Sequence, residues 1–561
     1  MAIDVTSLTN RRATDRWQRT SVGDMLERLT WSVPDQEAIV SHPGAYAHPQ
    51  HRRLTYRQAD RIANQVANAL LSRGLHRSDR VLLFCENSVE AYLTKIGIAK
   101  AGLVAVPVNP MMAPDVVAYL IGHVQPAFAV VDAELWPRAE KGFADGGLAA
   151  GMTIPVGGDV VPGTVSFEEF VAGQDESEPD VEIHADDIWQ ILFTSGTTAM
   201  PKGVMVSHAN TYAAANGFAL TLTRGVRLEG DTRICTFLPI IYHVADQIFT
   251  FSAFLAGGTL ILGRRPAPGP IAEAITQERA TAVWAGSPAM VNALADVLSA
   301  DPHAYDVSTL RVIVYGWAAL PPGTLATLKR LCGEELVAVE IFGQTETIAC
   351  HRFWPDKWPE TYRRTAPAQN YVGIPSPILA SVVMDEDGEM LEGQPGVPGE
   401  AVYRSPTVTA GYYRDLEATE QAFRFGWFHS GDSCVYDEDG LRVMIDRYKD
   451  IVKSGGENVS SLRVEAILYQ HPDVQKVAVI GLPHEHWGEA VTAVVVPKSD
   501  AHPSAEDLVS FCRERLGGHE TPKRVVFVGE MPETVGGKIL KYKLRHTHAA
   551  LYDGEGPQLG A

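Results

Sequence analysis

Ile191-Leu-Phe-Thr194-Ser195-Gly196-Thr197-Thr198-Ala199-Met200-Pro201-Lys202-Gly203-Val204 is the stretch from which the rest of the chain can be read. A β-prone apolar run, Ile188 to Thr194, ends in hydroxyl side chains and glycines and closes on Pro-Lys-Gly. Small residues let backbone N–H groups approach a polyanion closely. Thr and Ser hydroxyls add donors, and Lys202 adds a point charge. The pattern reads as a phosphate cradle at the end of a strand. It is not a Walker loop, because G-x-x-x-x-G-K-[ST] does not occur. Taken alone, a Ser/Thr/Gly/Pro cluster equally marks an ordinary loop, so the surrounding chain has to decide.

Upstream, the spacing of Ala59, Ile62, Ala63, Val66 and Leu70 predicts an amphipathic helix over 57–73, stopped by Gly74. A strand follows at Val81–Cys85, a helix at Val89–Lys100, and strands at Val104–Val108 and Phe128–Val131. Strands alternating with helices argue for a largely parallel α/β sheet. Residues 140–187, rich in Gly, Asp and Glu with weak periodicity, read as a surface connection. Beyond the cradle, further α/β units are expected around Thr259–Leu262, Ala282–Trp284 and Arg311–Tyr315. A β-rich segment is expected from about 378 to 445, with turns at Asp385–Gly388 and Asp437–Gly440. From 450 the chain changes to a compact piece with strands at Val477–Ile480 and Val491–Val496 and a helix at Ala505–Leu516. The tail after Tyr552 is expected to fray.

With 561 residues the chain has room for three or four domain-sized units. Its 45 % hydrophobic and 21 % charged content is that of an ordinary globular protein. The formal charge of -20 is scattered, which disfavours nucleic acid and anionic membranes as partners. Anionic ligands then need locally basic sites such as Lys202. None of the six cysteines stands in C-x-x-C or Cys/His spacing, so reduced thiols are expected and zinc is not. The first residues lack an apolar signal core, and no run approaches the ~18 apolar residues of a membrane span. A cytoplasmic protein is expected.

Several other stretches carry polar residues that a fold alone would not need. They are Leu238-Pro-Ile-Ile-Tyr242-His243, Tyr315-Gly316-Trp317-Ala318-Ala319, Glu340-Ile-Phe342-Gly343-Gln344-Thr345-Glu346 and Gly426-Trp-Phe-His-Ser430-Gly431-Asp432. Next come Asp446-Arg447-Tyr448-Lys449-Asp450, Ser454-Gly455-Gly456-Glu457-Asn458 and Thr534-Val-Gly536-Gly537-Lys538. In this order, from about Leu54 to Tyr552, they resemble the adenylate-forming superfamily, with the acyl-CoA synthetases (acid–thiol ligases) as the nearest branch.

The resemblance implies a large N-terminal domain, 1–446, of two α/β sheet subdomains plus a β-rich subdomain. It implies a small mobile α+β C-terminal domain, 447–561, that turns on a hinge at Lys449. It implies a small-molecule carboxylic acid, ATP, Mg²⁺ and coenzyme A as ligands. The acid attacks the α-phosphate to give acyl-AMP and pyrophosphate, and the thiol of coenzyme A then displaces AMP. Carried over by motif, Thr194, Ser195, Gly196, Thr197, Thr198 and Lys202 hold the β- and γ-phosphates. Glu346 holds the metal and Thr345 contacts the α-phosphate. Phe342 stacks on adenine near Gly316 and Ala318, while Asp432, assisted by Arg447, takes the ribose hydroxyls. Lys538 bridges carboxylate and α-phosphate during adenylation. His243 stands beside the acyl carboxylate, and Tyr242, Trp317 and Gly343 shape the acyl pocket. Gly455 and Gly456 line the pantetheine path once the small domain has rotated.

The sequence departs from the family pattern at named places. Ala199 replaces a glycine of the phosphate loop, and Trp317 replaces the second glycine after Tyr315. Phe342 replaces a tyrosine. Ser461-Leu-Arg463-Val-Glu465 stands where P-x-E-[VI]-E is usual. Most departures fall on the nucleotide and acyl side, so slow or selective adenylation is one reading, with an enzyme that mainly thioesterifies a preformed acyl-adenylate as its limit. An adenylation enzyme loading a carrier protein is another. A non-catalytic paralogue is disfavoured, because Lys538, Glu346 and Asp432 are intact. A homodimer, a carrier protein and an adenylate-supplying enzyme stay open as partners. Gly343 leaves the pocket without the tryptophan that closes it in acetate enzymes, and Trp317 supplies an aromatic wall. A bulky, cyclic or aromatic acid is therefore expected.

Overall fold

The computed structural model describes residues 19–194, 200–223, 230–243, 246–348, 351–455, 457–499, 501–533 and 539–553. Two large sheets and one small sheet organise them. The first has seven strands, ordered Val165–Ser166, Met152–Ile154, Phe128–Asp132, Arg80–Phe84, Val104–Pro107, Ile188–Thr194 and Lys202–Ser207. Every pair is parallel except the last, which is an antiparallel hairpin. That hairpin pairs Thr194 with Lys202 at the C-terminal end of a parallel strand, where α/β sheets bind ligands.

Alternation along the strands decides what each face buries. Val81 and Leu83 turn to one core, Leu82 and Phe84 to another. The first core also takes Ile234 and Leu260 from the second sheet, so helices Tyr56–Ser72, Val89–Lys100 and His208–Thr223 lie between the two sheets. All twelve residues of Val89–Lys100 are buried, Lys95 and Lys100 included. Lys100 is held by Asp60 at 2.9 Å and Glu178 at 2.5 Å. These partners keep its ammonium charged despite the desolvation that opposes it.

Residues 140–187, expected as a surface connection, instead extend the first sheet by two short strands and add the helix Phe167–Val171. Ser166 and Glu169 form a reciprocal capping box on that helix. Strands of three and two residues are too short to show a period of two, which is why the pattern hides them.

The second sheet has thirteen strands. Its parallel half, including Val312–Gly316 and Val337–Phe342, runs without a break into an antiparallel half made of His351–Phe353, Asn370–Pro375, Arg442–Arg447, Phe428–Tyr436, Gly399–Arg404 and Ala380–Met384. The β-rich part has its own core around Val383, Tyr403 and Phe428, but it is joined to the α/β part edge to edge. The small C-terminal body is a five-stranded sheet with helices Ser461–Leu468, Ala505–Arg513 and Lys541–Thr547. Its long strands bury both faces, with Val477 and Val479 on one side and Ala478 and Ile480 on the other. That is why they read as continuous apolar runs.

The five described cysteines, Cys85, Cys235, Cys332, Cys434 and Cys512, are buried and free. Burial pushes the Cys332 and Cys434 thiols up to about 12 and Cys512 to about 11. Among the described residues no helix is long and apolar enough to cross a membrane.

Candidate active site

The hairpin Ile188–Thr194 and Lys202–Ser207 sets Thr194 opposite Lys202. The Thr194 hydroxyl donates to the Lys202 carbonyl at 3.4 Å. Both residues therefore stand at the base of the loop. Ser195, Gly196, Thr197, Thr198 and Ala199 lie outside the described residues, as do Gly456 and Lys538. The Lys202 ammonium lies 4.9 Å from the centroid of the Tyr412 ring, a cation–π distance. The Tyr412 hydroxyl in turn donates to Glu346 Oε1 at 3.1 Å. Lys202 and Glu346, far apart in sequence, are thus joined across one phenol. Tyr412 is a site residue that the sequence reading missed. Its only signal is an aromatic pair between Gly411 and Arg414-Asp415.

Glu346 is buried in the turn that follows the strand Val337–Phe342. Burial raises its carboxyl above the ordinary range, while the Tyr412 hydrogen bond and the charge of Arg447 pull the other way. Thr345 precedes it in the same turn, half-buried. Asp432 and Arg447 face each other across two antiparallel strands and form an ion pair at 3.1 Å. Asp432 is 1 % exposed, and its charge raises the Arg447 guanidinium further above its ordinary value.

A cavity of about 1700 Å³ opens beside these groups. Gly316, Ala318, Phe342, Gly343, Asp432, Arg447 and Lys449 line it, with His243 and Trp317. Gly316 ends its strand where a Cβ would lie 2.7 Å from the Ile341 carbonyl oxygen, so only glycine lets the two strands close there. Burial lowers the Lys449 ammonium, as does Arg447 beside it.

Aromatic rings form the deeper wall. Phe249 stacks on Trp284 at 4.5 Å with planes 17° apart, and Trp317 tilts against Trp284 at 5.8 Å. Leu238 and Ile248 line the same region. Trp317 has φ +73°, the left-handed region that favours glycine. Holding an indole there costs about 1–3 kcal/mol, strain of the kind found at ligand-binding sites. Gly286 leaves the ring its room, since a Cβ at 286 would lie 3.3 Å from Trp317 Cζ3. Trp284 and Phe249 were not legible from sequence, because they sit in apolar elements where cavity-facing and core-facing positions look alike. Tyr242 packs against the apolar core, its hydroxyl buried, and is absent from the cavity lining.

In the C-terminal body, Gly455 has φ +63° and its N–H donates to the Trp487 carbonyl at 2.8 Å. A Cβ there would meet the Trp487 ring at 3.1 Å. Gly455 does not line the cavity, whereas Ile539, Leu540, Lys541 and Tyr542 do.

Residues 30–413 match the family model of the AMP-binding enzyme, and residues 463–538 match that of the AMP-binding enzyme C-terminal domain. A feruloyl-CoA synthase of Amycolatopsis sp is 33 % identical over 500 residues, covering 88 % of this chain and 93 % of that protein. A 4-hydroxybutyrate–CoA ligase of Metallosphaera sedula is 32 % identical over 533 residues, covering 93 % of each. An anthranilate CoA ligase in complex with anthranoyl-AMP superposes with a TM-score of 0.81 at 25 % identity, covering 94 % of this chain and 97 % of that one.

Proposed function

The chain belongs to the AMP-binding enzyme family and is an AMP-forming acyl-CoA ligase; on that premise we propose that its acid is a bulky aromatic or alicyclic one, activated in two steps. A carboxylate oxygen bonds to the α-phosphorus of ATP as the bond to the β-phosphate oxygen breaks and pyrophosphate leaves. The sulfur of coenzyme A then bonds to the acyl carbon as the bond to AMP breaks. Both reactants of the first step are anions, so positioning and charge neutralisation carry it.

Thr194, Ser195, Gly196, Thr197, Thr198 and Lys202 take the β- and γ-phosphates in this reading, with Lys202 steadied on Tyr412. Phe342 stacks on adenine beside Gly316 and Ala318. Asp432 accepts from the ribose hydroxyls and Arg447 holds it in place. Thr345 meets the α-phosphate, His243 the acyl carboxylate, and Lys538 bridges the two. Glu346 suits a divalent cation: its carboxyl is buried, and burial pushes it toward the neutral acid, a penalty that a bound cation removes. Bound there, Mg²⁺ would neutralise phosphate charge. The boundary between the domains is taken at 446/447. Lys449 is taken as the hinge, and Gly455 and Gly456 as the pantetheine loop.

The observation that carries the substrate class is the aromatic wall of Phe249, Trp284 and Trp317. Flat apolar rings favour a flat apolar guest. The names of two relatives, a feruloyl-CoA synthase and an anthranilate ligase, support it. Among the described residues no feature of the site favours an enzyme restricted to preformed adenylates. The test is a carboxylic-acid panel scored for pyrophosphate release and for acyl-CoA. Aryl and cyclic acids are expected to exceed acetate and palmitate in kcat/KM, and the reverse order would overturn the assignment. Running a phosphopantetheinylated carrier protein against free coenzyme A identifies the acceptor.

Trp317→Gly is expected to restore the residue that the φ suits and to deepen the pocket. The kcat/KM ratio of an extended aryl acid to benzoate should rise by about 10- to 100-fold. An unchanged ratio would show that the indole is not the wall.

A further inference from the structure

We propose that Ser461 is a positioning residue for the adenylation step, holding the small C-terminal body in the orientation described here. The proposal rests on the two-step reading above and on Lys449 as its hinge.

Asp446 lies near the C-terminal end of the strand Arg442–Arg447 within the thirteen-stranded sheet, beside Arg447, and is 2 % exposed. Its Oδ2 accepts two hydrogen bonds from Ser461, one from the backbone N–H at 2.7 Å and one from the hydroxyl at 2.5 Å. The Ser461 hydroxyl donates its single proton to Asp446, which leaves its lone pairs free to accept. Lys541 uses one, donating at 2.5 Å, and also ion-pairs with Glu465 at 2.8 Å. One step earlier, the Ser460 hydroxyl donates to the Ile445 carbonyl at 2.7 Å. Residues 445 and 446 precede the hinge, whereas 460, 461 and 541 follow it. The chain of contacts therefore spans the joint about which the body would turn.

Two facts give this joint a direction. Lys541 begins the helix Lys541–Thr547 shortly after Lys538 in sequence. Anchoring Lys541 to Asp446 through Ser461 ties the segment that carries Lys538 to the strand that carries Arg447. In the same orientation Ile539–Tyr542 face the cavity with Phe342 and Asp432, and Gly455 does not. Bringing Gly455 to the cavity by rotation about Lys449 has to break the Asp446–Ser461 pair. The family pattern has proline at this position. A proline has neither the N–H nor the hydroxyl, so the latch belongs to the departure at Ser461.

The test measures the half-reactions apart. Pyrophosphate release is followed in a single turnover with ATP and the best acid of the panel. Thioester formation is followed from supplied acyl-adenylate and coenzyme A. For Ser461→Ala, which removes a hydrogen bond to a charged group, adenylation is expected to fall on the order of tenfold, with thioester formation unchanged or faster. Ser461→Thr keeps the hydroxyl and should keep the wild-type ratio. A common fall in both half-reactions, or no change in either, would overturn the proposal. If Ser461→Ala does not fold, Asp446→Asn removes the same acceptor charge and is held to the same split. A wild-type protein that releases no pyrophosphate with any acid would instead refute the function on which the proposal rests.

Discussion

Lys538→Ala is expected to lower pyrophosphate release by about three orders of magnitude while thioester formation from supplied acyl-adenylate persists. The size follows from electrostatics. A carboxylate must come within bonding distance of an α-phosphate, and a preorganised cation between them is worth about 10²- to 10³-fold or more in a water-poor site. The formal charge of -20 increases the need for that cation. The second step is expected to be spared because, in the proposed reading, rotation about Lys449 would withdraw Lys538 before the thiol arrives. Assaying the two half-reactions separately checks both parts. Equal loss in both would mean that Lys538 supports the fold of its segment and does not act on the phosphate.

Glu346→Gln is the second large expected effect, on the order of 10²-fold in adenylation, with a raised requirement for Mg²⁺. The amide keeps the shape and an acceptor for Tyr412 but loses the charge. Thermal stability should move the other way. Glu346 has its carboxyl raised by burial, so its contribution to stability is full at low pH and is lost as pH rises through the folded value. The unfolded carboxyl ionises near 4.3. Below that pH both proteins are neutral at this position and should melt alike. As pH rises, the wild type takes on the penalty of a buried charge and the amide does not, so the midpoint of Glu346→Gln should meet and then exceed that of the wild type. Calorimetry at pH 4 and pH 8 checks the sign. A variant that melts lower at pH 8 would show that the carboxylate is stabilised by its neighbours in the free protein.

Much of the scaffold is legible because periodicity and length coincide there. Val89–Lys100 and Ile188–Thr194 have the bounds that the sequence implies. Legibility fails where elements are too short for a period, as in 140–187. It also fails where a side chain's direction matters more than its type. Trp284 and Phe249 look like core in any apolar run, and only the packing shows that they border a cavity. Tyr412 escapes because its importance is relational: it joins Lys202 to Glu346. The motif residues are the opposite case. Asp432 and Arg447 stand apart in sequence and meet across adjacent strands. Ser461 was legible only as a departure from a pattern, and the hydrogen bonds it makes in place of proline give the departure a physical content.

The burial of the cysteines bears on chemical fidelity. An acyl-adenylate is an electrophile waiting for one particular sulfur, that of coenzyme A. Any protein thiolate within reach would compete with it for the acyl group, forming a protein thioester as AMP leaves. Here the five described thiols are shut away and held protonated by burial, and among the described residues no cysteine lines the cavity. At these five cysteines self-acylation is thereby suppressed, which favours the thiol that arrives from solution.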